Sequence, residues 1–370
     1  MKLGRLLAVV RKELMQLRRD RLTFAMIVGI PTLQLLLFGF AINLDIRHLP
    51  AALLDQANTA NSRELVAELA SSQVLDFRHG ATAPQDIDRL MRRGDISAAV
   101  VIPPDFETRL ARADRPAWQL VVDGSDQSVQ AAARQLGAFP LGALHYGADA
   151  HRPGTQPVPG VEIVNFYNPE RRAPVNTVPG LIGVILTMTM VIFTAMAIVR
   201  ERERGNMEML IATPLSSLEL TIGKVLPYIA IGLVQVTLIL ILGLVVFDVP
   251  VRGSLLGVYL ASLAYITATL ALGVLISTLA KSQFQAMQMA FFTFLPQILL
   301  SGFMFPFDGM PKAAQWLAEI FPLTHFLRLI RGIMLREAQL GEMWTELAAL
   351  GAFVVVVMGI AAGRFRKTLD

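Results

Sequence analysis

Four groups of residues have types and spacings that could do chemistry. Gly223-Lys224 looks like the end of a phosphate-cradling loop, but Val225 follows it and Leu218 stands where the first glycine belongs. The sequence therefore offers no nucleotide site of its own. The five histidines (His48, His79, His145, His151, His325) are scattered without ligand spacing and form no H-E-x-x-H, while zero cysteines exclude disulfides, thiolate metal sites and cysteine nucleophiles. Asp55 and Asp123 each close a short apolar run, and Asp123-Gly124-Ser125-Asp126 is turn chemistry; a carboxylate in such a place caps a turn or helix more often than it serves a metal or a reaction. No serine or aspartate constellation marks a catalytic centre. The fourth group concerns contact rather than reaction. From Arg200 a dense alternation of charge runs to Gly205, and Met207, Leu210 and Ile211 then form a small apolar face before Thr213-Pro214 stops the helix. The plain reading is a solvated loop; against it, a short helix that exposes methionine and leucine wants a groove to bury them.

The elements that hold these residues follow from how charge is distributed. The 370 residues are 54% hydrophobic and only 17% charged, a balance that leaves too little polar surface for soluble domains and excludes both disorder and an ordinary cytosolic enzyme. Six stretches lack Lys, Arg, Asp and Glu: Leu22 to Leu44, Ala173 to Val199, Val225 to Phe247, Gly253 to Ala280, Ser282 to Phe307 and Leu347 to Gly363. The first five are long enough as helices to cross a hydrocarbon core of roughly 30 Å. The sixth borrows Met343 and Trp344 on one side and Arg364, Arg366 and Lys367 on the other as interfacial anchors. The fold class is thus an α-helical polytopic membrane protein with six transmembrane helices and an inserted α/β domain. Both termini lie on one side, and 15 Lys and Arg on that side against 5 in the opposite short loops make it the cytoplasmic one.

Four parts are expected. Residues 1–21 form a cytoplasmic amphipathic connecting helix, with Leu3, Leu7, Val10, Leu14 and Leu17 on one stripe. Residues 22–44 are the first span. Residues 45–172 are the α/β domain, with strands at Ala51 to Asp55, Val74 to Phe77, Ile96 to Ile102 and Trp118 to Val122. Its helices fall at Ser62 to Ala70, Pro84 to Arg93, Asp105 to Ala113 and Ser128 to Tyr146, and His151 to Gly160 is a linker. Residues 173–370 hold the other five spans, the contact helix at 200–214, and an outer re-entrant segment at 306–340. Around Phe303, Phe305, Pro306 and Phe307 the chain is too rich in Pro and Gly to stay helical, which suggests an outward gate, and Arg328, Arg331 and Arg336 are expected at lipid headgroups. Because the uncharged runs contain no carboxylate or histidine, coupling to a proton or sodium gradient is disfavoured and energy is expected from outside the chain. The net charge of +4 gathers in the 1–21 tail, where it fixes topology at an anionic leaflet and is no sign of nucleic acid binding.

Several short motifs, weak singly and specific in their order, then carry a resemblance. They are Arg11-Lys12-Glu13-Leu14 through Arg18-Arg19-Asp20, Leu54-Asp55-Gln56, Val122-Asp123-Gly124, Tyr167-Asn168-Pro169-Glu170, Val178-Pro179-Gly180-Leu181-Ile182-Gly183, the Glu201-Arg202-Glu203 to Thr213-Pro214 segment, and Phe303-Met304-Phe305-Pro306. Through them the chain resembles permease subunits of type-2 ABC exporters, in the bacterial multidrug-efflux branch with a large periplasmic domain between the first and second spans. The resemblance implies a location in the bacterial inner membrane and makes the 200–214 segment a coupling helix for a separate ATPase subunit. Its contact residues would be Glu201, Arg202, Glu203, Gly205, Met207, Glu208, Leu210 and Ile211. It implies no cofactor in this chain, ATP and magnesium on the partner ATPase, a second permease subunit (homodimer or sibling heterodimer), surrounding membrane lipids and a periplasmic adaptor protein. The substrate path is expected along Met188, Met190, Phe193, Met287, Phe291, Phe292 and Phe294, a lining suited to hydrophobic or amphipathic molecules; core packing accounts for each of these individually as well. The competing reading is a membrane-anchored sensor or scaffold whose outer domain binds a ligand or partner without transport.

Overall fold

The computed structural model describes residues 48–112, 114–137, 161–203, 217–305, 307 and 309–364, with the backbone alone at 217–226. The chain divides into two units, Met1–Ile42 and Asn43–Asp370. The expected connecting helix at 1–21 and the first span at 22–44 lie outside the described residues.

Short β-branched and alanine-rich runs, separated by helices with one apolar face, build a three-layered α/β unit. Its strands are β1 (Leu49–Asp55), β2 (Leu75–Gly80), β3 (Ala98–Ile102), β4 (Trp118–Asp123) and β5 (Val161–Phe166), in the order β2-β1-β3-β4-β5. All neighbours run parallel except β3 and β4, which are antiparallel. The helices between them are α1 (Ala60–Ser71), α2 (Pro84–Arg93), α3 (Phe106–Arg112) and α4 (Gln127–Gly137). Side chains on a strand alternate between faces: Ala51, Ala98, Val100, Leu120 and Val122 pack with α1, α3 and α4, while Ala52, Leu54, Ala99 and Val121 pack with α2. The four expected strands are present. A fifth, β5, was not expected, because Val161–Phe166 directly follows a Pro/Gly-rich stretch and its alternation is broken by Val164 and Asn165. Asp55 is a turn residue: its Oδ1 accepts from Ala57 N (3.0 Å) and Asn58 N (2.9 Å), and its Oδ2 from Ser62 Oγ (2.7 Å).

From β5 the chain enters a helical bundle of α5 (Ala173–Glu203), α6 (Ser217–Val245), α7 (Leu255–Leu279), α8 (Gln283–Leu300), α9 (Lys312–Ala318), α10 (Pro322–Arg336) and α11 (Trp344–Arg364). Four of the described helices are long and apolar enough to cross a membrane: Ala173–Glu203, Pro227–Val245, Leu255–Leu279 and Trp344–Arg364. The expected fifth span, Ser282 to Phe307, is helical only over Gln283–Leu300, and Gln283, Gln285, Gln288 and Gln297 dilute its apolar character. Helix α7 is central and packs against α5, α6, α10 and α11. Its Tyr265 stacks on Phe326 of α10, ring centroids 4.2 Å apart, and its hydroxyl is hydrogen-bonded to Thr187 of α5.

The α5–α10 crossing depends on absent side chains. A Cβ on Gly183 would lie 2.7 Å from Leu323 Cδ1 and 2.9 Å from Phe326 Cδ1, and one on Gly180 would lie 2.5 Å from Cδ2 of the Phe303 ring. Gly359 has nothing within 4 Å. Gly183→Ala is therefore expected to lower the thermal midpoint of the detergent-solubilised protein, by overpacking of about 1–3 kcal/mol. Gly359→Ala should leave it unchanged or slightly higher.

Candidate functional site at the junction of sheet and bundle

The loop after β4 turns back on itself at Asp123-Gly124. Ser125 N donates to Asp123 Oδ1 (2.9 Å) and Gly124 N to Phe166 O of β5 (2.9 Å); a side chain at Gly124 would strike that carbonyl. The expected turn chemistry at Asp123 is thus present. The carboxylate has a second use, because its Oδ2 lies 3.4 Å from Nη1 of Arg336 at the end of α10. Both groups are buried, Asp123 at 5% and Arg336 at 9% exposure. One helical face back, Arg331 reaches Asp126 Oδ2 (3.5 Å) and Gly302 O (3.3 Å). Arg328 pairs with Glu319 (2.6 Å) and Glu346 (3.4 Å), and its guanidinium carbon stands 4.6 Å from the centre of the Phe307 ring. The three arginines expected at headgroups are instead neutralised by carboxylates of this chain, which compete better than solvated phosphates once α10 is buried.

These groups surround a cavity of about 320 Å³ between the α/β unit and the bundle, lined also by Arg93, Gly94, Ser125, Ser301 and Gly302. Gly94 has φ +81°, and its missing side chain leaves room for Arg336 Nη1 at 3.1 Å from where a Cβ would be, so glycine is needed there twice over. The Tyr167-Asn168 link between β5 and α5 closes the junction. Asn168 caps the turn through Arg172 N (2.9 Å), and Arg172 donates to Phe247 O (2.7 Å) and Asp248 Oδ2 (3.2 Å) beyond α6. Asn176, its amide oriented to donate, reaches Gly124 O (3.0 Å) and Ser125 O (3.2 Å). Burial, then the charges of Asp123 and Asp88, push the Tyr167 phenol above its ordinary pKa.

Beside the cavity, His325 donates in two directions, to Glu346 Oε2 (2.5 Å) from Nδ1 and to Glu319 O (2.8 Å) from Nε2. Both ring nitrogens face acceptors, and only the imidazolium can satisfy both. Burial opposes that charge, but the bonds to Glu346 and Glu319 and the two carboxylates outweigh it and raise the His325 pKa above its ordinary value. Neither this pair nor Arg336–Asp123 was anticipated. The available signal for the latter was an acidic turn, Asp123 and Asp126, with no cation of its own.

Residues expected on the substrate path divide. Met188, Phe193, Met287 and Phe291 are exposed on α5 and α8, Phe292 and Phe294 are half-buried, and Met190 is fully buried in the bundle core against Gly232. Among the gate residues, Phe303 packs on Gly180, Phe305 is half-buried, Phe307 carries Arg328, and Pro306 lies outside the described residues. Of the coupling residues, Gly205, Met207, Glu208, Leu210 and Ile211 lie outside them as well. Glu203 accepts from Gln283 N (2.9 Å) at the start of α8, and Arg202 donates to Ala280 O (3.2 Å) at the end of α7. Glu201 sits beside them on α5.

Four described helices long and apolar enough to cross a membrane, bundled beneath an α/β unit, define the class as a multi-pass membrane protein. The chain belongs to the ABC-2 family of transporter proteins, whose pattern matches residues 21–362. It is a multi-pass membrane protein of the permease kind. Over 365 residues, 98% of each chain, it is 30% identical to the probable multidrug ABC transporter permease YbhR of Escherichia coli K12. It is 30% identical to the probable multidrug ABC transporter permease YbhS of the same strain over 381 residues, 99% of this chain and 98% of that one. The inner membrane transport permease YhhJ of that strain is 27% identical over 292 residues, 77% of this chain and 76% of its own.

Two outcomes test the junction. Arg336→Met strands the buried Asp123 carboxylate and should cost about 3–5 kcal/mol, whereas the double variant with Asp123→Asn should recover most of that loss. Thermal unfolding of the four proteins of this cycle reads the difference. For His325 the sign follows from a raised folded-state pKa: its stabilisation is complete below the unfolded value of about 6.5 and is lost as pH rises through the folded value. The melting temperature of the native protein should therefore fall on going from about pH 6 to pH 9. His325→Gln should flatten that dependence.

Proposed function

We propose that this chain is the permease subunit of an ATP-driven exporter that moves hydrophobic or amphipathic small molecules out across a bacterial inner membrane. The family match over residues 21–362, in a chain with no nucleotide-binding loop, carries the proposal. ATP and magnesium then belong to a separate ATPase subunit. The names of YbhR and YbhS support drug-like compounds as the substrate class. On this reading six spans cross the membrane, both termini are cytoplasmic, the α/β unit is periplasmic, and 306–340 forms the outer re-entrant segment. A second permease subunit completes the path, and a periplasmic adaptor meets the α/β unit.

The contacts around Glu203 give the mechanism a route. A push by the ATPase on the 204–214 segment acts on the end of α5, which is hydrogen-bonded to the α7–α8 turn through Arg202, Glu203 and Arg200. Helices α5 and α8 then move as a pair and carry Met188, Phe193, Met287 and Phe291 with them. At their far ends they meet Phe303 and the junction cavity, so outward opening is coupled to the seating of the α/β unit. In proteoliposomes with the ATPase, Glu208→Ala and Leu210→Ala are expected to lose ATPase association and drug-stimulated hydrolysis. Glu203→Ala is expected to keep association but to lose stimulation. Wild-type transport and association in all three would overturn the coupling assignment.

A further inference from the structure

Arginines of the α/β unit close tightly on their carboxylates: Arg89 on Asp86 and Arg92 on Asp88 at 2.6 Å, Arg109 and Arg115 on Asp105 at 2.8 Å. Two at the junction stand off. Arg336 meets Asp123 at 3.4 Å and Arg331 meets Asp126 at 3.5 Å, although a charge-assisted pair in a low-dielectric interior is drawn closer than one in water. A buried guanidinium also needs acceptors for the whole fork of its N–H groups. Arg336 has the long bond to Asp123, and Arg331 adds Gly302 O at 3.3 Å. The Nε of each is buried and meets no acceptor among the described residues.

The carboxylates cannot close the gap. Asp123 is held in its own turn by Ser125 N, and Gly124 beside it is tied to Phe166 O, so a swing toward Arg336 would open the turn. The guanidiniums therefore face the cavity of about 320 Å³, many times the roughly 10–15 Å³ that one water needs. Its wall adds the buried hydroxyl residues Ser125 and Ser301, and the exposed Arg93 opens it to solvent. Four arginines line it, against the carboxylates of Asp123, Asp126 and Glu346. Glu346 is shared by His325 and Arg328, and Arg328 is answered again by Glu319. The cationic surplus thus falls on Arg93, Arg331 and Arg336, and the carboxylate nearest Arg93, Glu342, is 4.0 Å away.

We infer that this cavity is an oxyanion site: a phosphate-type group enters past Arg93 and is held between Arg331 and Arg336, with Ser125 and Ser301 donating to its remaining oxygens. Arginine suits the task because its planar fork matches such oxygens in pairs, whereas water would satisfy the N–H groups and leave the charge unanswered. The group bridges α2 and the turn after β4 on one side to α10 on the other, so binding fastens the α/β unit to the bundle. Inorganic phosphate and the headgroup of an anionic phospholipid share this chemistry. The inference rests on the junction alone, and its failure leaves the exporter reading untouched.

Full-length protein in an uncharged maltoside would be melted in sodium phosphate, in sodium chloride of equal ionic strength, and with phosphatidylglycerol added to the micelles. In phosphate the thermal midpoint is expected to rise by on the order of 2 °C for each tenfold excess over Kd. Arg331→Gln should lose that response, and Arg115→Met, at an exposed arginine of the α/β unit, should keep it. Each protein is compared with itself, so a lower basal midpoint in Arg331→Gln does not enter. If Arg331→Gln does not fold, Ser301→Ala serves in its place, with an apparent phosphate affinity weakened several-fold. Phosphate also stabilises proteins by exclusion from their surface, equally in all variants. A rise shared by wild type and Arg331→Gln, or no rise beyond that in chloride and none with phosphatidylglycerol, would overturn the inference. A rise with phosphatidylglycerol alone, lost in Arg331→Gln, would support the site and name a lipid headgroup as its source.

Discussion

A charge taken into a protein interior must meet its opposite there, and α10 carries four: His325, Arg328, Arg331 and Arg336. Removing a guanidinium from water costs several kcal/mol unless a carboxylate and hydrogen bonds replace the solvent. The helix is buried because Leu323, Phe326, Leu329, Ile330 and Ile333 fill the space between α5, α7 and α11. Its cations therefore had to be answered from whatever surrounds it. Each answer comes from a different element: Glu319 after α9, Glu346 on α11, Asp126 before α4 and Asp123 at the end of β4. That one requirement fixes the loop before α10, the start of the last long helix and the seat of the α/β unit together.

Much of this was legible in the sequence. The α/β unit follows from alternating short strands and amphipathic helices, and its four predicted strands differ from the observed ones by only a few residues. The long apolar helices follow from uncharged runs. What the sequence hid were pairings between positions far apart. Arg336 and Asp123 are separated by 213 residues, and neither carries a local pattern that names the other. His325 looked like a scattered histidine because its partner Glu346 lies 21 residues on, across a helix boundary. Strand β5 was missed for a related reason: it is an edge strand whose place depends on pairing with β4 rather than on its own alternation. The arginines of α10 were assigned to headgroups since basic residues near apolar runs usually snorkel. The burial that overrides this habit is a tertiary fact.

The short motifs that carried the family resemblance gain a physical meaning from the fold. Val122-Asp123-Gly124, Tyr167-Asn168 and Phe303 are distant in sequence and converge on the junction, as turn, cap and packing partner. Gly180 and Gly183 belong to the same region, where they admit the Phe303 and Phe326 rings to the face of α5. Side chains at such positions set how closely elements approach. A site of this type suits a transporter, whose work is to change the relative placement of parts without changing covalent bonds.

The same network bears on the source of energy. The uncharged runs hold no carboxylate, but Glu346 lies in the first turn of α11, a helix long and apolar enough to cross a membrane, and an ionisable side chain within a span is a candidate carrier for a coupling ion. A carrier must be able to release its ion, and so cannot be committed to fixed cations. Glu346 meets two of them, His325 and Arg328, while Arg328 is shared with Glu319 and the Phe307 ring. Freeing the carboxylate would leave a buried imidazolium and a buried guanidinium short of partners at once. Such an arrangement is a clamp, and a clamped carboxylate is unsuited to carrying a coupling ion.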